Sequence, residues 1–142
     1  VSVLAYFFPD LMFHGYDLNP GMIGQAHQRK NHMELDNLDF CVSDNLTPRE
    51  SELKNADILY TKGSLDIEEG MLLEEVAGKI GRVCERVKQG GIYIQGSILS
   101  RDASGLSGIL GRKGIVFLET QYVFSSLLGP DVYNNVYRVH HL

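Results

Sequence analysis

Three short polar clusters follow apolar runs and carry residue types that could bind a ligand. They are Asp17-Leu18-Asn19, Ser43-Asp44-Asn45 and Thr61-Lys62-Gly63-Ser64. A carboxylate after a strand of a nucleotide-binding sheet can accept two hydrogen bonds from ribose hydroxyls, and it disfavours a phosphorylated ribose through charge repulsion. Asp17 suits this chemistry.

The two acidic clusters also have a purely structural interpretation. Asp17 or Asn19 could cap a helix that begins near Met22, and Asp44-Asn45 makes a good Asx turn. The position that the two clusters share favours a ligand-binding role over this structural interpretation. If both acids end adjacent parallel strands, they lie on one rim of the sheet, separated by a distance comparable to the length of an adenosine.

The elements that must position these clusters alternate between strands and helices. The patterns predict strands over 11–18, 38–42, 56–61, 91–98, 115–125 and 133–140, and helices from Met22 to Arg29 and from Ile67 to Gln89. The early strands are separated by helix-length segments, whereas the last two are joined by the turn-forming Leu128-Gly129-Pro130-Asp131. This order predicts an α/β fold with a mainly parallel sheet and a C-terminal antiparallel hairpin.

Glycines set two further expectations. Gly90-Gly91 is expected to end the long second helix. The stretch from Asp102 to Gly114, with glycines every third residue from 105 to 114, is expected to be a flexible connector. It lacks the Gly-Lys-Ser/Thr ending of a phosphate-binding loop.

Composition narrows the class of protein and partner. The chain has 142 residues, 44% of them hydrophobic, and a formal net charge of −5. One soluble domain is expected, without a nucleic-acid partner, because no large basic cluster is present. No apolar stretch of about 18 residues suggests a membrane span. Cys41 and Cys84 stand far apart, so a reduced cytoplasmic protein without a metal site is expected.

The run YFFPDLMFHGYDLNPGMIGQAHQR resembles class I S-adenosylmethionine-dependent methyltransferases. The matching pieces are Phe8-Pro9-Asp10, Gly15-Tyr16-Asp17, Met22-Ile23 and Ala26. Three later pieces follow in the family's order: LDFCVSDNL, ADILYTKGSLD, and CERVKQGGIYIQG, which is similar to the turn before the family's fifth strand. The resemblance covers nearly the whole chain.

This resemblance implies a Rossmann-like fold with helices on both faces of the sheet, and S-adenosylmethionine as cofactor. It implies that Asp17 binds the ribose hydroxyls and that Leu18 and Met22 line the adenine or ribose. The other implied cofactor residues are Ser43, Asp44 and Asn45 near the adenine amino group, and Thr61, Lys62 and Gly63 near the methionine portion or the methyl acceptor. No catalytic residue is assigned.

One family feature is absent from this sequence. The first strand and its Gly-x-Gly-x-Gly loop would precede residue 1, and Val1 to Phe8 resembles the tail of the helix that follows that loop. We therefore expect residues 1–142 to form a single methyltransferase-like domain that is N-terminally incomplete. A homodimer or a partner chain supplying the missing strand is a further expectation.

The reaction expected from the resemblance is methyl transfer to a small-molecule acceptor. The sequence YTKGSLD does not match the Asn-Pro-Pro-Tyr pattern of amino-methylating nucleic-acid enzymes, and the chain is acidic. The alternative is a non-catalytic methyltransferase-like scaffold or partner domain. An NAD-dependent oxidoreductase is less favoured, because it needs neither Met22-Ile23 at the helix start nor the second acid, Asp44.

Overall fold

The computed structural model describes residues 1–43, 55–62, 70–97, 104–123 and 132–142. The chain divides into two compact units, Val1–Arg49 and Glu50–Leu142, and each is described by itself. The single domain expected over residues 1–142 stays a prediction.

The first unit has alternating helices and strands: α1 (Ser2–Phe7), β1 (Phe13–Asp17), α2 (Pro20–His32) and β2 (Leu38–Val42). The two strands pair in parallel, with Phe13 opposite Leu38 and Asp17 opposite Val42. Their carboxyl ends therefore coincide, as the sequence predicts. β2 has its predicted bounds, β1 is shorter than predicted at both ends, and the helical interpretation of the N-terminal segment is confirmed.

The core of the first unit is small, and one polar side chain, Asn37, forms hydrogen bonds beside it. Ala5, Leu35 and Leu38 are buried, and Phe13, Met33 and Phe40 pack against them. A helix end leaves backbone carbonyl groups without partners. Here Asn37 Nδ2 donates to the carbonyl oxygens of Ala5, Phe8 and Leu11 at 3.0, 3.0 and 2.9 Å, which ties the end of α1 to the start of β2.

The second unit consists of β3 (Ala56–Lys62), α3 (Leu73–Cys84), β4 (Val87–Ser97), α4 (Ser104–Gly111), β5 (Ile115–Val123) and β6 (Val132–Val139). Its sheet has the strand order β3-β4-β6-β5. β3 and β4 are parallel, whereas β6 is antiparallel to both β4 and β5. The α/β class and the C-terminal hairpin are confirmed. The sheet is only partly parallel, because β6 lies between β4 and β5.

The long second helix is shorter than predicted. α3 ends at Cys84, and the last apolar position assigned to it, Val87, begins β4. Gly90 and Gly91 do not end a helix; they lie inside β4, where the register with β3 shifts. Gly90 has φ +76°, and a Cβ on Gly91 would lie 2.9 Å from the Asp57 carbonyl oxygen. Val87 therefore continues the apolar spacing of α3, although it lies in the irregular start of β4. The predicted positions 67–69 lie outside the described residues.

The glycine-rich stretch is helical where the structure describes it, so the flexible connector was a wrong prediction over Ser104–Gly111. Leu106 and Leu110 are four residues apart, share one face of α4 and are buried. Gly105 permits close packing on α3, since a Cβ there would lie 2.8 Å from Leu73 Cδ1. Apolar burial therefore outweighs the low helix propensity of glycine. Positions 102 and 103 lie outside the described residues.

No helix in the part of the chain that the structure describes is long and apolar enough to cross a membrane. The described residues contain no group of three or more His, Cys, Asp or Glu side chains placed to hold a metal ion.

Candidate functional site

The first candidate site lies at the carboxyl ends of β1 and β2. The parallel register places Asp17 opposite Val42, and the backbone N–H of Ser43 donates to the Asp17 carbonyl oxygen at 3.1 Å. Asp17 of the first polar cluster and Ser43 of the second therefore lie at one rim. Asp44 and Asn45 lie outside the described residues.

Asn19, rather than Asp17, caps α2. Asn19 Oδ1 accepts hydrogen bonds from the backbone N–H groups of Gly21 and Met22 at 2.8 and 3.4 Å. Asp17 Oδ1 accepts the Asn19 N–H at 2.8 Å, which holds the loop between strand and helix. Within the described ranges, the other carboxylate oxygen of Asp17 makes no hydrogen bond, and the residue is exposed. The acid can therefore fix the loop with one oxygen and bind a ligand with the other.

Two apolar side chains accompany this carboxylate. Leu18 is 67% exposed and Met22 is 53% exposed. Exposed apolar side chains next to a carboxylate suit a ligand that has hydroxyl groups on one part and a flat ring on another. An adenosine moiety fits this description, so these residues suit the cofactor implied by the resemblance.

The glycine of the Gly-x-Asp sequence makes room for an aromatic ring. Gly15 lies opposite Phe40 in the strand pair, and a Cβ on Gly15 would lie 2.5 Å from Phe40 Cδ1. The Phe40 ring meets His27 of α2 edge-on, with ring centroids 5.7 Å apart. The Phe40 ring therefore lies over β1 at Gly15 and also contacts α2. Gly15 lies two residues before Asp17, the acid that ends β1.

We expect Gly15→Ala to destabilise the protein by about 2 kcal/mol, because the overlap must be relieved by moving a packed ring. In a Phe40→Ala background the same substitution should cost less than about 0.5 kcal/mol, since the obstacle is gone. Urea unfolding of the four proteins in this cycle measures the coupling. Equal costs in both backgrounds would show that Phe40 is not the reason for the glycine.

The third polar cluster lies in the second unit, at the carboxyl end of β3. Thr61 is buried, and its hydroxyl is 2.8 Å from Tyr93 Oη in a hydrogen bond. Lys62 is exposed, and Gly63 lies outside the described residues. Thr61 therefore fixes the strand end through Tyr93, while Lys62 can reach a ligand. The structure groups Asp17, Leu18, Met22 and Ser43 in the first unit, and Thr61 and Lys62 in the second.

A tyrosine stack supports this strand end. The rings of Tyr93 and Tyr137 stack at 5.8 Å, and Phe117 meets Tyr137 at 5.7 Å. Burial raises the pKa of Tyr93, and it raises the pKa values of Tyr137 and Cys84 to about 12 each. These groups stay protonated at neutral pH, so they act as packing groups and not as general bases.

Sequence patterns did not single out two buried amides in the same sheet. Gln95 is 7% exposed and Asn135 is 6% exposed, and they lie opposite each other on β4 and β6. A sequence signal existed, because Gln95 follows Ile-Tyr-Ile and Asn135 lies between Val132-Tyr133 and Val136-Tyr137. Polar residues inside such strands are unusual when both faces are covered.

Comparison with known proteins gives a family. A family profile described as a methyltransferase domain matches residues 1–104, which is more than half of the chain. No curated protein matches the chain in sequence.

Several solved structures share the fold. The N-methyltransferase NodS from Bradyrhizobium japonicum WM9 has a TM-score of 0.64 at 14% identity, over 98% of this chain and 93% of that chain. The magnesium protoporphyrin IX methyltransferase from Synechocystis PCC 6803, solved with bound S-adenosylmethionine, has a TM-score of 0.67 at 14% identity, over 90% of this chain and 59% of that chain. An rRNA methylase from Streptococcus thermophilus has a TM-score of 0.61 at 11% identity, over 95% and 79% of the two chains.

These similarities confirm the resemblance seen in the sequence. The chain spans less than two thirds of the length of the Synechocystis enzyme. NodS has also been solved with S-adenosyl-l-homocysteine, and that structure has a TM-score of 0.65 at 18% identity, over 90% of this chain and 66% of that chain. S-adenosylmethionine is the methyl donor of this family. The chain belongs to the methyltransferase domain family, and it shares the fold of the solved S-adenosylmethionine-dependent methyltransferases.

Proposed function

We propose that the protein transfers a methyl group from S-adenosylmethionine to a small-molecule acceptor, with the ribose held at Asp17. The observation that carries this assignment is that Asn19 and Asp17 have different roles at the start of α2. Asn19 caps the helix, which leaves one Asp17 oxygen without a protein partner among the described residues.

The proposed cofactor contacts follow the rim of β1 and β2. Asp17 accepts hydrogen bonds from the ribose hydroxyls, and Leu18 and Met22 provide apolar contacts for the adenosine. Ser43, Asp44 and Asn45 are proposed at the adenine end, and Thr61, Lys62 and Gly63 at the methionine end or the acceptor. Thr61 contributes to this site by fixing the end of β3, because its hydroxyl is hydrogen-bonded to Tyr93.

Bound S-adenosylmethionine supplies an electrophilic methyl group, and its loss leaves a neutral thioether, so little covalent help is required. The protein must hold the acceptor in line with the methyl group and exclude water. The described residues give no side chain a special claim to act as a base. Tyr93 and Tyr137 are excluded from that role by their raised pKa values.

The small-molecule acceptor is supported by the acidic balance of the chain, whose net charge is −5. A phosphate-rich acceptor such as RNA would favour a basic face, although one structural relative is an rRNA methylase. Cys41 and Cys84 form no disulfide, which supports a reducing compartment, and we propose the cytoplasm as the place of the reaction.

Open strand edges support a further proposal about assembly. Among the described residues, β1 pairs only with β2, and β3 pairs only with β4. Both are terminal strands of their sheets among the described residues, parallel to their one neighbour, so each can pair with one more strand on its other edge. An unpaired strand edge is a site for adding a strand. We propose that a segment preceding residue 1, or a partner or second copy of the chain, supplies it.

The test is calorimetric titration of residues 1–142 and of the full-length protein with S-adenosylmethionine, S-adenosylhomocysteine and NAD. We expect the full-length protein to bind the first two with dissociation constants of about 1 μM to 1 mM, the range of typical KM values, and not to bind NAD. Binding by the full-length protein alone would show that a segment outside residues 1–142 completes the site. If neither protein binds either adenosyl compound, the non-catalytic scaffold is the correct assignment.

A further inference from the structure

A row of uncharged polar residues crosses the four-stranded sheet near the carboxyl ends of β3 and β4. The register places Thr61 opposite Gln95, Gln95 opposite Asn135, and Asn135 opposite Thr120. Residues paired in this way project from the same face of a sheet. We call Thr61, Gln95, Asn135 and Thr120 the polar row.

The polar row borders the aromatic part of the core. Two residues along the strands towards the interior lie Tyr93 and Tyr137, opposite each other on β4 and β6. Three members of the polar row are nevertheless buried, with exposures of 5% for Thr61, 7% for Gln95 and 6% for Asn135. Burying polar groups carries a free-energy cost unless each finds a hydrogen-bond partner.

Three members of the row have such partners. Thr61 bonds to Tyr93 Oη at 2.8 Å, and Thr120 Oγ1 donates to Asn135 Oδ1 at 2.8 Å. Gln95 differs, since its side-chain amide makes no hydrogen bond to any part of the chain that the structure describes. The sheet therefore holds one buried amide whose donor and acceptor are both unused.

Gln95 nonetheless keeps a small exposed area, 7% of its surface. In the described ranges, the side-chain polar atoms that are fully enclosed without a partner are Asn134 Oδ1 and Tyr137 Oη. The amide atoms of Gln95 are not among them, so a small exposed area remains at this position. A mostly buried amide without a hydrogen-bond partner among the described residues is suited to a ligand that can both accept and donate a hydrogen bond.

Aromatic rings border the other side of the polar row. Tyr122 and Tyr133 lie opposite each other, two residues further along their strands, and their ring centroids are 5.5 Å apart. Tyr122 is 60% exposed. The surface thus combines a buried amide with a ring pair of which Tyr122 is exposed, and none of these six residues is an acid, a lysine, an arginine or a histidine.

We propose that the polar row and the Tyr122–Tyr133 pair bind the methyl acceptor, and that Gln95 selects an uncharged aromatic compound with a hydroxyl group. This rests on the proposed function and specifies its acceptor. The amide of Gln95 bonds the hydroxyl, and the tyrosine rings contact the flat apolar part. A charged acceptor is disfavoured because no opposite charge in the row compensates for its desolvation.

The test uses phenol, benzoate and benzylamine as probes of similar size and different charge. Each is titrated by NMR into the full-length protein saturated with S-adenosylhomocysteine. We expect phenol to bind best. Gln95→Leu should weaken phenol about tenfold, because one hydrogen bond is lost and the phenol hydroxyl is left without a partner. The matched control is Gln121→Leu, an exposed glutamine on β5, which should leave phenol binding unchanged.

A second variant distinguishes a loss of binding from a loss of folding. Gln95→Glu keeps the size of the side chain but adds a charge, so benzylamine should gain affinity at the expense of benzoate. Equal binding of phenol by Gln95→Leu and the unsubstituted protein, or no preference among the three probes, overturns the inference while leaving the cofactor assignment intact. Failure of S-adenosylhomocysteine to bind the unsubstituted protein overturns the proposed function, and this inference with it.

Discussion

Substituting Asp17 by asparagine should weaken the binding of S-adenosylhomocysteine by the full-length protein about 100-fold. A hydrogen bond to a charged group contributes about 1.5 kcal/mol or more. Two such bonds to the ribose hydroxyls give about 3 kcal/mol, which corresponds to about two powers of ten in the dissociation constant. Isothermal calorimetry at fixed ionic strength measures the change. The melting temperature should hardly move, because the carboxylate is exposed.

Asparagine is the informative replacement at this position. It keeps an oxygen that can accept the Asn19 N–H, which the Asp17 carboxylate accepts at 2.8 Å, so the loop before α2 should keep its conformation. The loss of affinity then reports the charge and not a rearranged loop. Alanine would remove both at once.

Asp39 provides a matched control in the same unit. It is exposed, and its Oδ1 accepts the backbone N–H of Phe40 at 2.9 Å, much as Asp17 accepts that of Asn19. It lies on β2 opposite His14, towards the other end of the strand pair. We expect Asp39→Asn to bind S-adenosylhomocysteine normally. Equal affinities for the two variants and the unsubstituted protein would remove Asp17 from the cofactor site.

The strand ends that form this rim could be predicted from the sequence because local chemistry fixes them. Asn19-Pro20 follows β1 after one intervening residue, Leu18, and a side-chain cap followed by proline is a strong local signal for a helix start. The sequence could not decide whether Asp17 or Asn19 was the cap. Both residues suit that role, and only the loop geometry shows that Asn19 makes the bonds to Gly21 and Met22.

Longer-range features were beyond the sequence patterns. The apolar spacing of α3 continues through Val87, although the helix ends at Cys84 and Val87 begins β4. Spacing alone could not show this change, because a strand with a register shift can mimic the next helical position. The polar row was also hidden, since Gln95 and Asn135 are 40 positions apart in sequence and meet only through antiparallel pairing.

Gly114 shows how strongly tertiary structure can determine one residue in this fold. It is the last residue before β5, it is buried, and it has φ +78°. A Cβ at this position would lie 2.0 Å from the carbonyl oxygen of His140, the residue that follows β6. The His140 N–H donates to the Gly114 carbonyl oxygen at 2.8 Å. The close approach is thus between two backbone segments joined by a hydrogen bond, and neither can shift alone.

Gly114→Ala should therefore destabilise the protein by about 3 kcal/mol or more. The left-handed conformation costs a residue with a Cβ about 1–2 kcal/mol, and relieving the overlap must weaken the pairing of Ile115 with Val139. The expected drop in melting temperature is about 10 °C for a chain of this size. Gly111→Ala is the matched control, because Gly111 ends α4 with no atom near its Cβ position, and alanine should be neutral or slightly stabilising there. Similar melting temperatures for the two variants would show that the start of β5 yields to the added methyl group, so that the β5–β6 pairing does not depend on glycine at this position.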